Sequence, residues 1–366
     1  MRQLRVERLQ AKLKESGIDC AVLVPGPNLF YLTGLSMHLS ERITVALIPA
    51  DGPARMVLPM LEKPQAEGKI EIDAEFFPWQ DGEGPDSAFK NAVDSLSLDG
   101  KTLGVEFQNM RVLEQSQIRK HAPNAKFSKL EETLGLLRII KDDEEISKMR
   151  RAVQLTEEVL EAMIRQMHEG MTEAECALIY QLEALNAGCG GLSFTPIVAS
   201  GPNGGSPHVI PGDRKLQRGD MVTIDAGVFY QSYPGDITRN LAVGELDAEL
   251  EKIHQIVEES NAAGRLAAKP GIACQEVDRA ARKVIDDAGY GEYFIHRTGH
   301  GLGLEVHEPP YMTEGNEQIL EPGMTFTVEP GIYVPEIGGA RVEDDMLITK
   351  DGAESLTQSP RSLRRI

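Results

Sequence analysis

Long apolar runs are absent from this 366-residue sequence. None approaches the ~20 residues that a membrane-spanning helix needs, which argues against a membrane protein. Cysteine is scarce: Cys20, Cys176, Cys189 and Cys274 are scattered, with no CxxC spacing. That pattern excludes a disulfide scaffold and a zinc knuckle, and reads as reduced thiols in the cytoplasm. Basic residues are in deficit, 38 against 57 acidic ones, for a net charge of -19. A chain this acidic does not hold a phosphate backbone by bulk electrostatics, so nucleic acid is not an expected partner. The helical HExxH motif of zinc proteases is missing, and the first half has neither GxxxxGKS/T nor a GxGxxG after a strand. The opening MRQLRVERLQAKLKESG is charged throughout, unlike a signal peptide.

What is present suits a soluble α/β protein of two domains. Apolar residues make up 41% and charged residues 26%, close to the globular average. Over residues 1–133, the strand-like runs CAVLVPG, RITVALIPADG, ARMVLPML, IDAEFFPW and KTLGVEF alternate with polar helical stretches such as PDSAFKNAVDSL. Such alternation predicts an α/β layer domain. A second domain is expected over 143–366. It starts with a helix predicted from the acidic KDDEEI stretch to Gly170, with Ile146, Met149, Val153, Leu160, Met163 and Met167 on one face. That methionine stripe reads as an ordinary core face rather than a partner groove. Two more helices fit 247–266 and 274–288.

Two segments of the second domain have the same layout. MVTIDAGVFYQSYPGDITRNLAV reads as strand, turn, strand, with Asp225 and Asp236 about equally far from a turn around 231–235. In TFTVEPGIYVPEIGGARVEDDMLIT, Glu329 and Glu343 straddle a Pro/Gly-rich turn in the same way. Cross-strand partners lie ~5 Å apart, so each hairpin is expected to bring two carboxylates together on one face. Buried carboxylates repel unless one holds a proton or a cation sits between them. A single Asp in an apolar strand is more often a structural residue; the repeated pattern is what points to metal.

A glycine-rich run, FIHRTGHGLGLEVHEPP, adds His296, His300 and His307, and the small-residue loop before it in sequence ends near His208. Arg341, two residues before Glu343, faces the same way along its strand. A carboxylate-rich set with one imidazole suits manganese or cobalt, or magnesium with added water, better than a thiol zinc site.

TIDAG with Asp236-Ile-Thr-Arg, HRTGHGLGLEVHE, VEPGIY and RVEDD resemble, in order and spacing, the dinuclear metallopeptidases that include Xaa-Pro dipeptidases (prolidases) and aminopeptidase P. LRIIKDDEEI at the domain junction is similar to the junction of that family. The resemblance is specific in the second half and loose in the first. It implies a creatinase-like N-terminal α/β domain followed by a pita-bread catalytic domain, and a homodimer. It implies two divalent ions, manganese first and cobalt or zinc as alternatives, on Asp225, Asp236, His300, Glu329 and Glu343, with Asp236 and Glu343 bridging. A hydroxide between the metals is expected to attack the carbonyl before proline, in a small peptide with proline in second position. His307, or alternatively His208, would stabilise the oxyanion, and Glu329 would carry the proton. His296 and Arg341 would bind substrate.

Three rivals share the fold. A creatinase-like amidinohydrolase uses no metal, a non-catalytic binding module would be expected to lose ligands, and methionine aminopeptidase leaves the first ~130 residues surplus. Between dipeptidase and aminopeptidase P the reading leans to dipeptidase, which needs a cation for the product-side carboxylate. Arg42 is a candidate, reaching a partner subunit's site, although an ordinary surface arginine reads the same way.

Overall fold

The apolar runs of the first domain become strands because their sheet is covered on both faces. β1 (Cys20–Leu23) and β2 (Val45–Pro49) are buried at every position, which is why they read as continuous rather than alternating runs. With β3 (Ala54–Pro59), β4 (Ala74–Trp79), β5 (Thr102–Val105) and β6 (Lys126–Lys129) they form one sheet of order β4-β3-β2-β1-β5-β6. The sheet is mixed: β1 is antiparallel to β2 and parallel to β5. Helices α1 (Arg2–Glu15), α2 (Pro27–Thr33), α3 (Lys63–Lys69), α4 (Asp86–Ser95), α5 (Val112–His121) and α6 (Glu131–Arg138) intervene in the chain. Phe89, Trp79, Leu103 and Ile118 centre one core cluster. Helix α2 is not legible from periodicity, but its punctuation is there: a proline at its start and Gly34 at φ 85° at its end.

The computed structural model describes all residues 1–366, in two compact units, Met1–Arg138 and Ile139–Ile366. The second unit opens with α7 (Asp143–Ile164), where Asp142 and Glu145 form a reciprocal capping box. This helix ends at Ile164, short of the expected Gly170. Gly170 N instead donates to Leu216 O and Leu216 N to Met171 O, so tertiary pairing claims the last turn. Met149 and Met163 are fully buried, as expected for a core face. After α7 comes α8 (Glu173–Asn186), and later α9 (Ala248–Ala267) and α10 (Cys274–Asp287).

Two sheets carry the rest. Strands β7 (Ile197–Ser200), β8 (Met221–Ala226), β11 (Ile237–Ala242) and β19 (Arg364–Arg365) line up as β19-β11-β8-β7, and β9 (Phe229–Tyr230) with β10 (Tyr233–Pro234) extends the β8–β11 hairpin. Strands β12 (Gly299–Gly301), β13 (Glu308–Met312), β14 (Thr325–Val328), β17 (Asp344–Ile348) and β18 (Ala353–Ser355) form β13-β12-β14-β17-β18. Strands β15 (Gly331–Val334) and β16 (Gly338–Arg341) make the tip between β14 and β17. Phe326, Val328 and Met346 pack with Cys274 and Val277 of α10, while Ile332 and Ala340 pack with Ile253 and Val257 of α9. No helix is long and apolar enough to cross a membrane.

Candidate metal centre

The two acid-bearing hairpins differ in register. In the second, Thr327 pairs with Asp345 and Val328 with Asp344, and the tip continues the same register through Gly331 and Arg341. Glu329 and Glu343 therefore stand opposite each other. In the first, Asp225 pairs with Thr238, not with Asp236. The turn sits at Gln231 and Ser232, with φ 48° and 73°, rather than spreading over 231–235. That shift leaves Asp225 and Asp236 as diagonal neighbours, still on one face.

The hairpins are tied to each other by side chains. Thr238 Oγ1 donates to Glu343 Oε2 at 2.6 Å, and Asn240 Nδ2 donates to the carbonyl of Arg341 at 2.8 Å. Asp236 is held through its own N–H, which donates to Asp345 Oδ2 at 3.0 Å. His300 enters on β12, where glycines let the backbone approach. A Cβ at Gly299 would sit 1.8 Å from the carbonyl of Thr327. The ring donates from Nδ1 to Gly301 O at 3.1 Å, which turns the lone pair of Nε2 toward Glu329 Oε1 at 3.2 Å and Asp236 Oδ2 at 3.7 Å. One ligand atom from each of Asp236, His300 and Glu343 lies within 4.8 Å of the others, all three residues buried.

The electrostatics disfavour leaving these carboxylates charged with neither a proton nor a cation among them. Burial, with mutual repulsion second, pushes the carboxyls of Asp236 and Glu343 well above their usual range, and burial raises Glu329 to about 7. Burial pulls His300 down to about 3, keeping its imidazole neutral and available as a ligand. Asp225 Oδ1 is buried without any hydrogen-bond partner. Hard oxygen donors, one neutral imidazole and an orphaned carboxylate oxygen fit divalent metal ions.

The surroundings form a cavity of about 730 Å³ lined by Asp225, Asp236, His300, Glu329 and Glu343 together with His208, His296, His307 and Arg341. His307 packs edge-on against His300, ring centroids 4.2 Å apart, and its pKa is lowered by desolvation first and then by Arg297. His296 donates from Nδ1 to Arg297 O at 2.7 Å, and its Nε2 lies 2.9 Å from the Tyr333 hydroxyl. Burial lowers His296 to about 4. His208 is exposed at the cavity and makes no side-chain hydrogen bond.

Arg341 is buried and donates to Asp225 Oδ2, Thr238 Oγ1 and Tyr333 Oη at 2.6, 3.1 and 2.8 Å. Arg42 lies in the first unit and is not among the residues of this cavity. Its guanidinium is exposed and donates to both carboxylate oxygens of Asp81, at 3.0 and 2.8 Å, and to Glu41. Asp81 is too far away in sequence to have been foreseen.

Several contributors escaped the sequence reading. Tyr333 joins Arg341 to His296; it belongs to the VEPGIY motif, and the hairpin register was its only signal. Thr327 accepts from the His300 N–H at 3.1 Å and donates to Glu329 at 3.2 Å. Arg297 lines the cavity with its guanidinium 4.5 Å from the centre of the Tyr311 ring.

Known proteins share this architecture along the whole chain. The profile of metallopeptidase family M24 matches residues 147–350, and that of the creatinase/prolidase N-terminal domain matches residues 5–140. A recombinant prolidase from Thermococcus sibiricus is 35% identical, with a TM-score of 0.95 over 100% of this chain and 99% of that one. A dipeptidase from Pyrococcus horikoshii OT3 is 40% identical, with a TM-score of 0.94 over 99% of this chain and 100% of that one. An Xaa-Pro dipeptidase from Bacillus anthracis is 33% identical, with a TM-score of 0.92 over 100% of both chains. The chain is a metallopeptidase: it belongs to family M24, with a pita-bread catalytic domain following a creatinase-like N-terminal domain.

Proposed function

We propose that this metallopeptidase is an Xaa-Pro dipeptidase that works with two divalent ions, manganese first among them, held by Asp225, Asp236, His300, Glu329 and Glu343. The observation that carries the reading is the buried carboxylate set around one neutral imidazole, with Asp225 Oδ1 left unpartnered. A metal-free amidinohydrolase or a bare binding module gives no reason to keep that repulsion. The prolidase, the dipeptidase and the Xaa-Pro dipeptidase to which the chain is similar support the substrate class.

Bound divalent ions supply Lewis acidity, bringing a water's pKa toward ~7 and polarising a carbonyl. The protein's own groups do the remainder. Glu329 takes the proton from water and returns it to the leaving nitrogen. His307 donates to the oxygen on which charge develops, and His208 flanks it. Arg341 and Tyr333 hold Asp225 and His296 in place around the substrate. Phe194, Ile197 and Val306 give the cavity an apolar wall for the proline ring, whose nitrogen has no hydrogen to offer. We assign the enzyme to the cytoplasm as a homodimer, with the domain limits at 1–133 and 143–366 and Arg42 near the product-side carboxylate of the partner's site.

Metal content by elemental analysis tests the site. Wild-type protein should hold two manganese ions per chain and Glu343→Gln fewer than one, with activity lost in parallel. Full activity of Glu343→Gln, or of metal-stripped wild type, overturns the proposal.

A further inference from the structure

Glu173 is fully buried at the first turn of α8, yet it belongs to no metal set and has no lysine or arginine within ion-pair distance. Its charge is met by neutral donors instead. Oε1 accepts from Ser200 N, Ser200 Oγ and Asn203 Nδ2 at 2.8, 2.6 and 3.0 Å. Oε2 accepts from Asn203 Nδ2 at 3.0 Å and from Gly212 N at 3.4 Å. Arg214 stands one step behind, donating to Ser200 Oγ at 2.6 Å and to Asp220 Oδ1 at 2.8 Å.

Ser200 ends β7, and Asn203 and Gly212 belong to the connection that follows it. Asn203 and Gly212 bracket the segment 204–211, so one carboxylate contacts both its ends, the second beside backbone hydrogen bonds from Ala174 N to Gly212 O and from Glu173 N to Arg214 O, each 3.0 Å. That segment carries Pro207 and His208 to the cavity. Its other side lies flat on the β15–β16 hairpin. A Cβ at Gly205 would come 2.8 Å from Val334 O, and one at Gly204 would come 3.1 Å from Gly339 N. The loop is thus clamped between Glu173 and the hairpin that supplies Tyr333 and Arg341. His208 has no side-chain hydrogen bond of its own, so no polar partner fixes its ring.

We infer that Glu173 is a positioning residue: it closes the 204–211 loop at both ends and thereby sets where His208 meets the substrate. This rests on the reading that His208 acts on a bound peptide. A buried carboxylate is costly to desolvate, and the five neutral contacts that answer this cost all come from the segment that leads to and from His208. Misplacing a contact group by ~1 Å costs up to ~100-fold in rate, so the loop need not unfold for the effect to register.

A double-mutant cycle tests this. Glu173→Gln, Asn203→Ala, His208→Ala and the two double variants with His208→Ala would be assayed for Met-Pro hydrolysis in saturating manganese, with metal content measured on each. Asn203→Ala leaves Glu173 in place, and its cycle decides the matter if Glu173→Gln does not fold. Expected is a fall in kcat/KM of ~10- to 100-fold for each single variant at unchanged metal content. The second substitution should add less than ~3-fold once His208 is gone, because coupled residues are not additive. Multiplying losses, or wild-type kcat/KM in both loop variants, would overturn the inference alone. Wild-type kcat/KM in His208→Ala would overturn the role of His208 and the inference together.

Discussion

Arg341 Nη2 lies 2.6 Å from Asp225 Oδ2, while Asp225 Oδ1 is buried with no hydrogen-bond partner. One carboxylate thus has one oxygen held by a permanent cation and the other without a hydrogen-bond partner. The guanidinium fork also reaches Thr238 and Tyr333, so it orients the Asp225 carboxylate rather than merely balancing its charge. Replacing Arg341 by Lys keeps the charge but loses the fork. Arg341→Lys is expected to weaken manganese binding by ~10- to 100-fold, as loss of outer-shell support does elsewhere. A manganese titration followed by calorimetry measures it.

Carboxylates that repel should make the metal-free protein less stable than it need be. Asp236 is raised by burial and then by Glu343 and Asp225, so removing its charge relieves all three effects. Asp236→Asn is expected to raise the melting temperature of the unit Ile139–Ile366 in stripped protein, by ~2–4 °C for each kcal/mol recovered at that unit's size. The same substitution should erase most of the manganese-induced rise seen in wild type. Thermal scans with and without metal give both numbers.

A histidine far from the chemistry should set part of the acid limit. His254, on α9, is 3% exposed with Nε2 unpartnered, and burial lowers it to about 4. The unfolded chain, with its ordinary value near ~6.5, then binds more protons than the folded one, so stability is full above ~6.5 and falls as pH drops toward ~4. The loss from this residue is ~2 kcal/mol by pH ~5. His254→Gln should remove it, read as a smaller difference between urea midpoints at pH 8 and 5.

Backbone approach at the strand that carries His300 leaves no room for a methyl group. A Cβ at Gly299 would be 1.8 Å from Thr327 O, so Gly299→Ala must push β12 off β14 and carry His300 with it. A loss of ~2 kcal/mol or more is expected, together with weaker metal binding. Gly68, in α3 with nothing within 4 Å of its would-be Cβ, is the control. Gly68→Ala should stabilise by ~0.4–1 kcal/mol. Chemical unfolding of both variants separates crowding from helix propensity.

Strand and helix order was legible wherever burial or capping left a local mark, as in the unbroken apolar runs of β1 and β2 or the capped start of α7. That Asp225, Asp236, His300, Glu329 and Glu343 meet at one cavity was legible because carboxylates are conspicuous in apolar strands. Register was less so: Glu329 and Glu343 face each other as their turn suggested, but the tight turn at Gln231–Ser232 moves Asp236 two places along its strand. Tyr333 and Glu173 stayed hidden, since their partners come from distant segments and neither residue type is unusual in its local sequence. The end of α7 was misread because its last turn is lost to pairing with Leu216, a tertiary contact that no helical signal records.

The most direct measurement compares hydrolysis of Met-Pro and Met-Pro-Ala by metal-stripped protein before and after manganese is added back. No cleavage without metal, and metal-restored cleavage of Met-Pro in preference to Met-Pro-Ala, is the result expected of an Xaa-Pro dipeptidase. Cleavage favouring Met-Pro-Ala would contradict the dipeptidase assignment, and cleavage of either peptide by fully stripped protein would contradict the metal centre itself.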